Sequence, residues 1–294
     1  MGSTANWRHG ETWEHQVCGC HDLGCPMLNV DQHAEEQAAA EWLIYEQPLT
    51  ERVRTFLRLE FLLEQAGHHS GLSSMWDSRA AVSAVLEIVA LLTRGDVRTE
   101  VLKELERCGT LLQRLKGSPE VDNSRLQTVL ADLERLRTEM DGDGRPLGAS
   151  LRESEFLNSI KNRMAIPGGT CQFDLPSYHA WLTHPYPRRA RDLQGWIADL
   201  KPLKETIALL MALTRESALP TREIAQQGVY QRNFDTNVLS PMVRVMVPAP
   251  AGVFPEISAG KHRMAIRFLE RHDANARPQQ TKRDINFKLV CCQL

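Results

Sequence analysis

At 294 residues the chain is long enough for one large domain or two modest ones, and a composition of 42% hydrophobic and 24% charged residues is that of a soluble globular protein. A formal net charge of −2 excludes bulk attraction to nucleic acid or to an anionic membrane. No apolar run approaches the roughly 20 residues of a membrane-spanning helix, and the polar opening MGSTANWRHGETWEHQ holds no signal-peptide core, so a cytoplasmic location is expected.

Residues 1–40 show no sustained period and read as an extension, with EEQAAAEW able to start a helical turn. EWLIYEQPL (41–49) reads as a short strand stopped by Pro48. From Thr50 to Ser217 helical signals dominate. Thr50 caps a first helix ending near Gly67, Asp77 or Ser78 opens a second closed by Gly95, Asp96 a third closed by Gly117, and Asp122 a fourth. A fifth covers about Leu151 to Met164. After the turn at Pro167–Gly169 come two more, from about Arg188 to Leu200 and from Pro202 to Ser217.

Beyond Pro220 the period changes to two. GVYQRNF (228–234), MVRVMVP (242–248), RMAIRFLERH (263–272) and DINFKLVCC (284–292) read as strands between Pro, Gly, Asn and Asp clusters. Helices first and strands later, without βαβ alternation, predict an α+β fold. Its parts are a mainly helical domain over 41–219 and an antiparallel β-domain over 220–294, whose sheet the early strand at 41–49 is free to join.

Charge is unevenly spread. The first 60 residues carry ten acids against four Arg and no Lys, whereas 261–288 carries eight Lys and Arg against three acids. Within that basic end, KHRMAIRFLERH (261–272) alternates as a strand does. Met264, Ile266 and Phe268 fall on one side, and Arg263, Arg267 and Arg271 on the other, spaced by Ala265 and Leu269. A ladder of guanidinium forks suits carboxylate or phosphate. The same pattern fits a solvated sheet face, or positive charge that discourages edge pairing.

Other chemistry is sparser. His15, Cys18, Cys20, His21 and Cys25 combine zinc-type ligands but lack paired knuckle spacing, so no metal is expected. Seven Cys without a regular framework read as reduced thiols. Cys291 and Cys292 point to opposite faces of a strand, one in the core and one exposed, and Cys108 and Cys171 read as buried small hydrophobes. No nucleophile elbow, His-Glu-x-x-His or phosphate loop is present, and Gly168–Gly169 reads as a turn needing positive φ. Nucleic-acid binding through the basic strands is the alternative function, but Phe268 and Phe287 fall on inward faces and offer no stacking platform.

Several segments carry a resemblance. YEQPLTERVRTFLRLEFLL, RGDVRTEVLKELER, VDNSRL, MAIPGGTCQFDLPSYHAWL, GVYQ, PEIS…KHRMAIRF and INFKLVCC, in this order between Tyr45 and Cys292, resemble the ZapD family of cell division proteins. The resemblance implies a helical domain joined to a β-domain in a symmetric homodimer. It further implies a non-enzymatic factor without cofactor, substrate or membrane insertion, at the division ring at mid-cell. The implied partner is the C-terminal tail of FtsZ, whose filaments the dimer bundles. Arg263 and Arg267, with Lys261 before them, match the family's binding arginines; Arg94, Arg58 and His179 match further basic or polar positions; Glu155 stands where a basic residue is expected. The dimer contact is expected on the first helix, where Phe56, Leu57, Leu59, Phe61, Leu62 and Leu63 occupy more than one stripe.

Overall fold

The computed structural model describes residues 42–119, 121–142, 146–234, 240–260 and 262–293. The candidate zinc ligands at 15–25, the helical turn expected ahead of Trp42, and Lys261 lie outside them.

A strand, β1 (Trp42–Pro48), leads into α1 (Glu51–Ser70), where the Thr50 hydroxyl accepts from Val53 N–H at 3.3 Å. The helix runs through Gly67 to Gly71. An interior glycine costs about 1 kcal/mol, which packing along the helix offsets. The second helix, α2 (Met75–Arg94), starts earlier than the sequence predicts. Its cap is Ser74, because Asp77 is held by His69 Nδ1 at 3.0 Å and Ser78 is fully buried. Asp96 and Asp122 cap α3 (Val97–Gln113) and α4 (Asn123–Asp141) as expected.

The expected fifth helix is two, α5 (Ala149–Glu153) and α6 (Glu155–Met164). Ser154 breaks it by turning extended (φ −65°, ψ 112°) and accepting from Leu157 N–H at 3.3 Å. A short helix, α7 (Pro176–Leu182), was not foreseen. It precedes α8 (Tyr186–Ala198) and α9 (Lys201–Glu216), each with proline in its first turn. Arg189 of α8 is buried, and its guanidinium donates to the Ser73, Ser74 and His184 carbonyls and to the Ser78 hydroxyl. It thereby ties α8 to the start of α2.

The chain then forms β2 (Thr221–Ala225), β3 (Val229–Asn233), β4 (Met242–Pro248), β5 (Val253–Ala259), β6 (Arg263–Glu270), β7 (Gln279–Gln280) and β8 (Ile285–Cys292). One antiparallel sheet has the order β1-β4-β8-β2, and a second β3-β6-β5 with β7 on β6. The early strand therefore joins the C-terminal sheet, Glu46 opposite Arg244.

Period-two alternation sorts the first sheet between two cores. Met242, Val290 and Cys292 pack on the helices. Val243, Val245, Val247, Phe287 and Leu289 pack instead against Val253, Met264, Ile266 and Phe268 of the second sheet. Phe268 and Phe287 meet there with ring centroids 5.1 Å apart. The layers are thus helices, first sheet, second sheet, and the outer face of β6 is solvent-facing. Cys292 is buried while Cys291 is half-buried rather than exposed, and burial pushes the Cys292 thiol up to about 11. Cys171 departs from expectation: it is half-buried and donates to Asp174 Oδ2 at 3.6 Å.

Candidate functional site

On β6 the alternation holds residue by residue. Met264, Ile266 and Phe268 are buried, and Arg263 and Arg267 are exposed on the outer face. Arg271 lies beyond the strand, which ends at Glu270. The ladder is partly answered from within. Arg263 Nη2 donates to Gln231 Oε1 of β3 at 2.5 Å, and Arg267 pairs with the Glu256 carboxylate directly opposite on β5. Arg283 Nη2 reaches Glu270 Oε1 at 2.8 Å, and the Thr281 hydroxyl, then Arg283, hold that carboxyl below the usual range. A carboxylate ligand must therefore displace or share the Glu256 contact to reach Arg267.

A second basic surface lies on the helices. Arg58, Phe61 and Leu62 stand at i, i+3 and i+4 on α1, and Glu87, Ala90, Leu91 and Arg94 at i, i+3, i+4 and i+7 on α2. These spacings put each set on one stripe, and the two stripes line a groove of about 420 Å³. Phe61 is 64% exposed, while Leu62 beneath it is buried. Neither Arg58 nor Arg94 is engaged by a carboxylate among the described residues. Two unanswered cations beside an exposed aromatic ring and aliphatic carbon suit a chain bearing both acidic and apolar side chains.

The structure thus divides the sequence-predicted residues. Arg58 and Arg94 come together on the helices, and Arg263 and Arg267 on the outer sheet. His179 is half-buried on α7 and lines neither surface, and Glu155 is exposed in the first turn of α6. The apolar surplus of α1 resolves mostly into its own core, since Phe56, Leu59, Leu62 and Leu63 are buried within the chain. Phe61 and Leu91, as lining of the Arg58–Arg94 groove, were missed. The i, i+3 spacing of Arg58 and Phe61 was the signal that could have found the first.

Among the described residues no cluster of three or more His, Cys, Asp or Glu is placed to hold a metal ion, and no helix is long and apolar enough to cross a membrane. The outer face of β6 bears no aromatic ring, since Phe268 points inward.

A family model described as ZapD, cell division protein, matches residues 57–267. The chain is similar to the cell division protein ZapD of Methylococcus capsulatus, 42% identical over 252 residues that span 86% of this chain and 98% of the relative. The protein of that name from an Azoarcus species is 38% identical over 250 residues, 85% of this chain and 99% of its own. That from Coxiella burnetii is 36% identical over 256 residues, 87% and 99% of the respective chains.

Proposed function

Since this chain belongs to the ZapD family of cell division proteins, we propose that it binds the C-terminal tail of FtsZ through its basic surfaces and, as a dimer, crosslinks and bundles FtsZ filaments. In this reading it is a non-enzymatic factor of the cytoplasmic division ring. Residues 41–219 act as a mainly helical domain whose early strand, β1, joins the sheet of the β-domain at 220–294.

The observation that carries the reading is the groove with Arg58 and Arg94 unanswered beside the exposed Phe61 ring. A tail bearing carboxylates and aliphatic side chains finds both its chemical needs there. The outer-sheet pair, Arg263 and Arg267, supplies a second anchoring point, with Lys261 just before it in the chain. A flexible tail loses entropy on ordering, which keeps each contact weak. A dimer with two sites gains by effective concentration once one tail is held, and two tails on different filaments then become one crosslink.

The test is fluorescence anisotropy with a labelled FtsZ C-terminal peptide, comparing the protein with its Arg58→Glu/Arg94→Glu and Arg263→Glu/Arg267→Glu variants. Saturable, salt-sensitive binding lost in either variant supports the reading and ranks the surfaces. Unchanged binding in both variants removes these residues from the site, and no binding by the unaltered chain overturns the proposal.

A further inference from the structure

The groove between α1 and α2 holds one acid among its arginines. Glu87 lines it from α2 with its side chain exposed. Its one partner among the described residues is the Ser83 hydroxyl, which donates to Oε1 at 3.4 Å. No described cation pairs with this carboxylate, although Arg58 and Arg94 line the same groove and are themselves without a carboxylate. Three charges of two signs thus face one cleft, each left open to an outside partner.

Connectivity and tilt place these charges. Four residues, 71–74, join α1 to α2, and His69 meets Asp77 across that turn at 3.0 Å, so the helices run antiparallel. Side chains on a helix lean toward its N-terminus. On antiparallel neighbours that lean carries Arg58 away from the turn, toward the Arg94 end, and Glu87 toward the turn. The Ser83 contact, one turn back along α2, is the direct mark of the Glu87 lean. At a rise of about 1.5 Å per residue, Glu87 and Arg94 stand roughly 10.5 Å apart along the axis, with Ala90 and Leu91 between them. The groove therefore has a direction: cations at one end, a carboxylate toward the other, apolar carbon between.

We propose that Glu87 is a specificity-determining residue of this groove, pairing with a Lys or Arg of the bound tail and so fixing which way the segment lies. The inference rests on the tail-binding reading and names the chemistry of the segment taken: an acid, an apolar stretch and a base, in that line. A chain extended at about 3.3 Å per residue covers the interval in about three to five residues once side-chain reach is counted. Charge argues for this occupant over a purely acidic one. An all-acidic segment gains Arg58 and Arg94 but brings like charge against Glu87, whereas a segment of mixed sign answers all three groups. Specificity of this kind comes from the repulsive element as much as from the attractive ones.

Fluorescence anisotropy of the full chain with the labelled FtsZ C-terminal peptide tests it, because the two possible roles of Glu87 differ in sign. A carboxylate that receives a base makes Glu87→Gln weaken binding by about two- to tenfold and Glu87→Lys by more. A merely solvated acid beside a basic site makes Glu87→Lys a third cation that tightens binding, and that result overturns the proposal. Unchanged affinity in both variants overturns it as well. Glu87 is exposed within α2, so both variants should keep the circular dichroism spectrum of the unaltered chain.

The peptide supplies the other half of the test, each of its Lys and Arg residues being replaced by Glu in turn. One such change should weaken binding to the unaltered chain and regain about fivefold or more against Glu87→Lys, a charge swap confined to one position. No effect at any position, or equal recovery at all of them, overturns the pairing. Binding lost in Arg58→Glu/Arg94→Glu but tightened in Glu87→Lys overturns this inference and leaves the tail-binding reading standing. Full binding in the double-arginine variant removes the groove and Glu87 with it, and no binding by the unaltered chain overturns both.

Discussion

Arg215, on the last turn of α9, grips the Glu46 carboxylate of β1 through two hydrogen bonds, Nε to Oε1 at 2.8 Å and Nη2 to Oε2 at 2.9 Å. The same guanidinium reaches Glu60 of α1 at 2.7 and 2.5 Å, and Arg244 of β4 donates to Glu46 at 2.9 Å. Two arginines and two glutamates thus balance at the seam between helices and sheet. Replacing Arg215 by Ala leaves two half-buried carboxylates together. It should cost about 3 kcal/mol, a fall in melting temperature of roughly 6–12 °C for a protein of this size, read by differential scanning calorimetry. A shift within 1–2 °C would make the network decorative.

The same network sets an acid limit. Burial alone would raise the Glu46 carboxyl, but hydrogen bonds and charge from Arg215 and Arg244 outweigh it and the net direction is down. Glu104 behaves likewise, burial being outweighed by Arg107 and Arg52. A carboxyl lowered in the folded state contributes stability in full above its unfolded pKa of about 4.3, and loses it as pH falls through the folded value. Urea midpoints should therefore be level on this account above about pH 5.5 and fall below about pH 4, less steeply in Arg215→Ala. An equal slope in both proteins would assign the acid loss to other groups.

Reversing Arg58 and Arg94 to Glu should weaken FtsZ-peptide binding by about ten- to a hundredfold, as expected when like charges replace complementary ones. Both residues lie on exposed helix faces, so the circular dichroism spectrum should not change. Binding should also weaken with salt, because exposed charges are screened over about 8–10 Å near physiological ionic strength.

Arg267 offers a test of opposite sign. Its guanidinium is occupied by Glu256, an exposed pair, and such a pair is worth about 0–1 kcal/mol. Glu256→Gln frees the arginine and should tighten peptide binding up to about fivefold in the same anisotropy assay. Unchanged affinity would place the tail away from this sheet.

Gly169 is held by close approach. A Cβ there would stand 2.5 Å from the Arg163 carbonyl oxygen and 2.8 Å from Ile166 Cβ. Gly169→Ala should cost about 1–3 kcal/mol, measured by urea unfolding. A neutral effect would mean the 163–169 turn can shift without loss.

The β6 alternation was legible because burial of one sheet face writes itself into every second residue. The caps at Thr50, Asp96 and Asp122 were legible because a side-chain oxygen satisfying free N–H groups is a local event. Ser74 was not, since what displaced Asp77 and Ser78 as caps were His69 and Arg189, partners brought in by tertiary packing. The split at Ser154 and the short α7 escaped for a related reason: a segment of five to ten residues shows too few turns for its period to stand out.

By itself the sequence determined the α+β order, the inward and outward faces of β6, and, through its resemblance, the family. Each of these rests on local periodicity or on the identity of contiguous residues. Only the tertiary structure decided that Arg58 and Arg94 share one groove, that Arg267 is already answered by Glu256, and that β1 joins the C-terminal sheet beside β4. Those facts depend on which element lies beside which, and a linear pattern of hydrophobic and charged residues does not encode a neighbour many residues away.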